Sequence, residues 1–527
     1  MNNTLDLILS KLGGVRRSGT GYMARCPAHD DKHPSLKIDQ ADGKILLHCF
    51  AGCRVEDIVG ALGVEMGNLF EEAGEGHGRH PTISLDDEFT DRNNARILVH
   101  ELMDDVKYVP QWGWVLWDGA RWRRDAEGNT VRLLARERLP QHYLKMALEN
   151  AEKRKVYAQY AVKAHSRSKI ENAMELAKGD FLSLPEAFDA NPWWLCAGNG
   201  VIDLQRQIVM PHMREMNMTL WTPVEYRPGA KAPVFEKFLR EIFLEDEELI
   251  YYVKRALGYS ITGDTSENKI FICYGSGANG KSTLLQAIGH VLGEYAVAVP
   301  QEVLVKKKYD VHPTALAHLA GKRFALTSET DEMSVLNESR VKAITGRDTI
   351  SARFLHKDYF DFEITAKVWL ATNHKPVVKD TSEAMWRRIA LIPFNAFFPP
   401  EQQDKHLLEK LKDEAEGILA WLVEGCYEWQ DRGLDEPDIV RNAVLEYRSE
   451  MDILQGWLEE CCEIAPQART PIKDLYESYC KYCDESGIVP VSSRAFSAKL
   501  DEKGFITVVG TAHKKFKKGL AIRGDEQ

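Results

Sequence analysis

Gly275 to Ser282 read GSGANGKS, which fits the pattern G-x-x-x-x-G-K-[ST] without a mismatch. Glycines in such a loop let backbone N–H groups converge on a polyphosphate, where side chains would block the approach. The phosphate-contacting candidates are Gly275, Ser276, Gly277, Ala278, Asn279, Gly280, Lys281, Ser282 and Thr283. Lys281 is placed to reach the β- and γ-phosphates of ATP, and the Ser282 hydroxyl to coordinate Mg2+. A second set lies near the N-terminus, where Cys26-Pro-Ala-His29 is followed by Cys49-Phe-Ala-Gly-Cys53. Two pairs of soft or borderline ligands on two turns, separated by a hairpin pattern, suit tetrahedral Zn2+. A closed site of this kind is structural and staples a unit too small for a good core. Ordinary buried thiols are the alternative, and His33 and His48 are rival ligands whose positions fit the pairing less well.

The elements around the glycine loop are those its chemistry needs. KIFICY (269–274) reads as a short buried strand, and STLLQAIGHVL (282–292) has apolar residues at helical spacing. Strand, loop and helix in that order point a helix N-terminus at the anion. Hydrolysis further needs a metal-supporting carboxylate, a group that orients water, and an arginine for the transition state. RFALTSE (323–329) is an apolar strand ending in Glu329, a Mg2+ candidate that a parallel sheet would bring beside Lys281. KVWLATN (367–373) likewise ends in Asn373, suited to orienting water or sensing the γ-phosphate. Arg387 and Arg388 follow in AMWRRIALIPF, close enough to a domain edge to reach a neighbouring subunit's nucleotide. Singly these are ordinary surface residues; as an ordered set behind the loop they specify an ATPase.

The remaining chain is a multidomain α/β protein of 527 residues with net charge −11, which excludes a surface coated in positive charge but not local basic patches. One patch is Lys514, Lys515, Lys517 and Lys518 with Lys503 and Arg523; another spans Lys153 to Lys169. A solvated face is the alternative for each. Tryptophans 112, 114, 117, 122, 193 and 194 read as core. No stretch of 18 apolar residues occurs, so no membrane span is expected. The N-terminal residues lack a signal-peptide pattern and the ten cysteines suggest no disulfide framework, so a cytoplasmic protein is expected. The pattern divides into a zinc-binding unit (1–72), a flexible linker (73–88), a mixed α/β region (89–230) and a helical bundle (231–262). An ATPase core (263–430) and a last unit (445–527) follow. The last unit has three helical patterns and a basic hairpin, a winged-helix arrangement. Cys480 and Cys483 sit in a helical pattern with Cys461 and Cys462 upstream, and packing is preferred there over a second metal.

GSGANGKST, FALTSETDE, VKAITGRDTISARFLHKDYFDF, WLATNHKP and AMWRRIALIPF together resemble a superfamily 3 helicase, most closely the primase-helicase type of phages, plasmids and poxviruses. The resemblance covers about residues 90–430. It implies a modified AAA+ (P-loop) fold, a hexameric ring and ATP-driven movement on single-stranded and forked DNA, 3′ to 5′. It also implies Glu329 as the Walker B carboxylate, Asn373 as the sensor, and Arg388 or Arg387 as the finger acting in trans. VKAITGRDTISARFLHKDY aligns with the family's DNA-contacting hairpin, so the resemblance makes Lys342, Arg353, His356 and Lys357 candidates for gripping strand phosphates. The chain departs from the common pair of adjacent acids, having Ser328-Glu329-Thr330-Asp331. RCPAHDDKHPSLKIDQADGKILLHCFAGC resembles the zinc-ribbon-like domain of bacterial and phage primases, with C-x-x-x-C in place of C-x-x-C.

Three functions follow in order. The first is a ring-forming replicative DNA helicase, working beside a separate primase or other replication proteins. The second is a bifunctional primase-helicase, against which stands the lack of a strand-borne carboxylate cluster; Asp104-Asp105 reads as helical. The third is an origin-binding or nucleic-acid-sensing ATPase that does not unwind.

Overall fold

The computed structural model describes residues 3–18, 21–29, 34–41, 44–64, 89–306, 313–328, 334–354, 358–380, 382–485, 490–510 and 514–523. The expected linker at 73–88 lies outside them. Cα packing divides the chain into two units, residues 1–118 with 123–185, and 119–122 with 186–527.

The first unit contains two hydrophobic cores. In one, α1 (Asn3–Lys11), β1 (Arg16–Ser18), β2 (Gly21–Ala24), β3 (Leu36–Ala41), β4 (Lys44–Cys49) and α2 (Val55–Leu62) form an antiparallel sheet in chain order with two helices. The strand period of two sends Leu36, Ile38, Ile45, Leu47 and Cys49 to the face that meets Ile8 and Ile58. The other core is built by α3 (Asp91–Leu102), strands β5 (Val106–Val109) and β6 (Gly113–Trp117), and α4 (Asn129–Glu149), α5 (Arg154–Ala164) and α6 (Arg167–Ala177), with β7 (Trp122–Asp125) completing the sheet of β5 and β6. Tyr143 donates to Asn94 Oδ1 at 2.8 Å inside it. Asp104 and Asp105 are not helical, contrary to their sequence pattern. The helix stops at Leu102, whose carbonyl accepts from Asp105 N at 3.0 Å in the turn into β5.

The second unit begins with a meander, β8 (Trp194–Ala197), β9 (Gly200–Asp203) and β10 (Ile208–Met210), then α7 (Pro233–Ile242) and α8 (Glu247–Ser260). The central chain runs β11 (Ile270–Tyr274), α9 (Lys281–Leu292), β12 (Ala296–Ala298), α10 (Pro313–Ala317), β13 (Phe324–Ser328) and α11 (Glu338–Thr345). The hairpin β14 (Thr349–Ala352) and β15 (Phe360–Glu363) follows, then β16 (Lys367–Thr372), α12 (Glu383–Trp386) and β17 (Ile389–Pro393). Five of these strands form a parallel sheet in the order β12-β13-β16-β11-β17. Such strands are buried on both sides, which is why they read as unbroken apolar runs. Phe271, Cys273, Trp369 and Ile392 enter the core on one face, and Ile270, Ile272, Leu370 and Leu391 the core on the other. The Phe271 and Trp369 rings stack with centroids 4.4 Å apart.

Two fully buried cations join the sheet to α8. Arg323, just before β13, donates to Ile261 O (2.8 Å) and Trp194 O (2.5 Å). Lys367, opening β16, donates to Thr262 O, and at 3.0 Å to Asp264 O and Thr365 O. The carbonyls of Ile261, Thr262 and Asp264 lie just past the C-terminal end of α8, where cations are favoured and helical partners run out, while Trp194 O belongs to β8 and Thr365 O to the approach to β16. Burial lowers the pKa of both cations.

Beyond the sheet lie α13 (Leu407–Asp413), α14 (Ala415–Arg432) and α15 (Asp438–Met451). The helical bundle expected before the core, α7 and α8, is joined by α14, since Lys254 on α8 pairs with Glu424 (3.2 Å) and Glu428 (2.7 Å). The last segment runs α16 (Ile453–Cys461), β18 (Cys462–Pro471), α17 (Ile472–Glu485), α18 (Ser493–Glu502), β19 (Thr507–Val509) and β20 (Lys515–Ile522), with β20 central in the sheet. The helices and the basic hairpin are as expected; β18 is additional. Its ladder shifts register between Ile464 and Arg469, so it shows no clean alternation in sequence.

Replacing Phe271 by alanine should destabilise this unit by about 3–5 kcal/mol, as removal of a buried ring from a packed core does. Urea unfolding checks it: the midpoint should fall at an unchanged slope. A midpoint like that of wild type would refute the stacked sheet core.

Candidate functional site

Strand β11 delivers the glycine loop and α9 receives it. The backbone turns through left-handed conformations at Gly277 (φ 89°), Ala278 (φ 47°) and Gly280 (φ 87°). A Cβ at Gly275 would stand 2.3 Å from Phe394 O, and one at Gly280 2.5 Å from Ile242 Cγ2, so neither position has room for a side chain. Gly280 caps α9 without a side-chain hydrogen bond, which leaves the first-turn N–H groups to an anion. Lys281 is buried and donates to Gly275 O (2.8 Å), Asn279 Oδ1 (2.9 Å) and Asn373 Oδ1 (3.1 Å). These three partners are neutral, and a phosphate oxygen would make a stronger, charge-assisted partner for the ammonium. Asn279 is itself buried and donates to Phe394 O at 3.1 Å. Its orienting role was not legible, because the motif leaves that position unspecified. Ser276 and Ser282 are exposed, and Thr283 is half-buried.

The sheet sorts the remaining candidates by edge. Tyr274 pairs with Thr372, so Asn373 follows β16 directly beside the loop. β13 ends at Ser328, in register with Ala371, and Glu329 and Asp331 lie outside the described residues. Ile389 pairs with Ile270, so Arg387 and Arg388 precede β17 at the edge opposite the loop. Four residue steps of strand separate these edges, roughly 13 Å. Arg387 is exposed. Arg388 is half-buried, donating to Thr345 Oγ1 at 3.1 Å and to Ala384 O.

Arg353 belongs to the expected hairpin, whose pairing runs from Thr349 with Glu363 to Ala352 with Phe360. Its guanidinium lies 4.8 Å from the Tyr359 ring centroid. His356 and Lys357 lie outside the described residues. Lys342 sits not on the hairpin but on α11, paired with Asp380 at 2.7 Å. Burial raises the Asp380 pKa, but hydrogen bonds from Lys342 and Ser382 outweigh it and hold the carboxyl at about 2. In the last segment Lys514, Lys515 and Lys518 are exposed. Lys517 is not: it is fully buried, donating to Ser497 O (2.7 Å) and pairing with Asp501 (2.7 Å). Its contacts with α18 take it away from the surface that its lysine neighbours share.

Cys26, His29, Cys49 and Cys53 converge, their ligand atoms all within 4.8 Å of one another. His29 Nδ1 lies 3.1 Å from Cys53 Sγ and 3.8 Å from Cys49 Sγ. Tetrahedral Zn2+ with ~2.3 Å bonds to sulfur places ligands roughly 3.8 Å apart, so the set fits the ion. Cys49 ends β4, and Gly52 N closes a turn on its carbonyl at 3.0 Å, carrying Cys53 back toward the site. The extra residue of C-x-x-x-C is absorbed there. His48, one strand residue earlier, faces away; it is exposed and packs edge-on against Phe50 at 4.9 Å. His33 lies outside the described residues. At the other end of the chain, Cys483 is buried in the core with Tyr479 and Cys480 is half-buried on α17, in line with packing.

The convergent zinc ligands and the loop-bearing sheet define a class, and comparison with known proteins gives it a family context. Family models match over residues 2–74 ("CHC2 zinc finger"), 95–244 ("D5 N terminal like") and 273–388 ("Family of unknown function (DUF5906)"). In its N-terminal zinc-binding domain and the region that follows, the chain is similar to proteins of the primase-helicase type. It is 26% identical over 315 residues to "Putative helicase L207/L206" of Acanthamoeba polyphaga mimivirus, covering 55% of this chain and 33% of that protein. It is 24% identical over 272 residues to "Putative helicase 022R" of Frog virus 3 (isolate Goorha), covering 47% and 28%. It is 25% identical over 215 residues to "Putative primase C962R" of African swine fever virus (isolate Tick/Malawi/Lil 20-1/1983), covering 39% and 22%. The matches thus span at most a third of these relatives' length. Among the described residues no helix is long and apolar enough to cross a membrane.

Two outcomes test the sites. The double variant Cys49→Ser/Cys53→Ser should lose its bound zinc by atomic absorption; wild-type metal content would reject the ligand set. The folded pKa of Asp380 is depressed, so its pairing stabilises fully above the ordinary carboxylate pKa of ~3.9 and is lost as pH falls toward 2. Asp380→Asn should therefore flatten part of the loss of urea stability between about pH 4 and pH 2. An unchanged acid limb would mean that the Lys342 pair contributes nothing.

Proposed function

We propose that this chain is an ATP-hydrolysing DNA helicase that assembles as a ring, hexameric by its resemblance, and moves on single-stranded DNA during replication of a phage, plasmid or other mobile element. The observation that carries the proposal is the Lys281–Asn373 contact at one edge of a parallel sheet whose opposite edge holds Arg387 and Arg388. A modified AAA+ core accounts for that strand order and for the loop. In this reading Gly275 to Thr283 wrap the phosphates, and Lys281 exchanges its carbonyl and amide partners for phosphate oxygens. Ser282 and Glu329 would hold Mg2+, which supplies charge neutralisation at the phosphates. Asn373, released from Lys281, orients the attacking water or reads the terminal phosphate. The arginines are too far from their own loop to act on it, which supports their use on a neighbour's nucleotide. Arg387 is the more available of the two.

Arg353, with His356 and Lys357, would hold the strand from the hairpin. The last segment is read as a winged helix whose Lys514, Lys515 and Lys518 meet DNA, with Lys517 holding the fold. The zinc domain would contact DNA or a replication partner.

A second reading, bifunctional primase-helicase, draws support from the CHC2 zinc finger match and from a relative named for primase. Incorporation of labelled ribonucleotides on a single-stranded template separates it from the first. For the motor itself, Glu329→Gln should abolish ATP turnover and unwinding of a forked duplex while leaving ATP binding intact. Turnover near wild type would sink the Glu329 role. Hydrolysis by wild type without strand separation would favour a DNA-remodelling or sensing ATPase.

A further inference from the structure

Past Pro393, at the end of β17, the chain stays beside the phosphate loop. Phe394 N donates to Tyr274 O (2.7 Å), Asn279 Nδ2 to Phe394 O (3.1 Å), and Phe398 N to Ala278 O (2.9 Å). Residues 394–398 are therefore a rail fixed along the loop from its first residue to its tip. Burial alternates along the rail. Phe394 (1% exposed) and Ala396 (4%) face inward, while Asn395 and Phe397 face solvent, Phe397 at 64% exposure. Phe398, next in line, packs against the core, so the outward aromatic sits on a backbone held at both ends.

The direction of a bound nucleotide follows from the strand order. Lys281 and Asn373 occupy the β16 side of β11. A triphosphate whose terminal phosphate lies between them must carry its nucleoside away from β16. The strand on the other flank of β11 is β17, and its continuation is the rail. We propose that Phe397 is the stacking platform for the base of a nucleoside triphosphate, with the Asn395 amide on the same outward face to meet the base's polar edge. This rests on the reading of Gly275–Ser282 as a phosphate site. Base–aromatic stacking tolerates any base, whereas an amide can pair with a purine edge, so the two residues divide affinity and selectivity.

Calorimetric titration of the full chain with MgATP and with magnesium tripolyphosphate, which has the phosphates but no base, tests the proposal. Wild type should bind ATP more tightly than tripolyphosphate. Phe397→Ala should weaken ATP binding about tenfold and leave tripolyphosphate unchanged, and Phe397→Tyr should retain wild-type ATP affinity. An alanine variant that binds ATP as wild type does would overturn the platform. So would one that loses both ligands equally, because the rail would then only support the loop. If wild type binds neither ligand, the phosphate-site reading itself fails, and the platform with it.

Discussion

All five strands of the central sheet run in one direction, and the candidate site depends on that constraint. A parallel register gathers the C-terminal ends of β11, β13, β16 and β17 at one edge. Residues far apart in sequence are thereby brought together at the strand ends by backbone register. Gly275, Asn373 and Phe394 each follow a strand of this sheet, which is why Lys281 can reach Asn373 across 92 positions of chain. The same register sends what precedes or opens each strand, including Arg323, Lys367 and Arg388, to the other edge. An antiparallel neighbour at any position would have reversed one of these placements.

The two edges are held by different physics. At the loop edge the backbone does most of the work, through close approaches of Phe394 and Ile242 that leave no room for a Cβ at Gly275 or Gly280. At the far edge two buried cations satisfy the carbonyls at the end of α8. A buried charge is tolerated only when its hydrogen bonds are met, so Arg323 and Lys367 fix where α8 ends against the sheet. The zinc-binding domain solves a different problem. Its core among the described residues is a small aliphatic cluster, and four converging ligands supply a cross-link that apolar burial alone would not.

Much of this was legible. The apolar strands, the glycine loop, the helix behind it and the two ligand pairs carry their chemistry in local spacing. What escaped depended on partners distant in sequence. Lys517 lies in a run of lysines and looks like its neighbours; only the pairing of β20 with β18 and β19 turns it onto Asp501. Lys342 could have been a free cation until α11 set it beside Asp380. Asn279 occupies a position the loop pattern leaves open, yet it orients Lys281. Asp104 and Asp105 extended a helical pattern that a turn cuts off at Leu102.

The sequence by itself determined the local patterns: a glycine loop of phosphate-binding type, a tetrahedral metal set and an ordered series of polar strand ends. Spacing suffices for these because each is specified by residue type within one loop or one element. Only the tertiary structure decided who meets whom. It placed Asn373 on Lys281, set both arginines at the opposite edge and buried one lysine of the C-terminal hairpin. It also laid an exposed phenylalanine along the loop. Those outcomes depend on strand order and register, which arise from the packing of two apolar faces over the whole sheet rather than from any single motif.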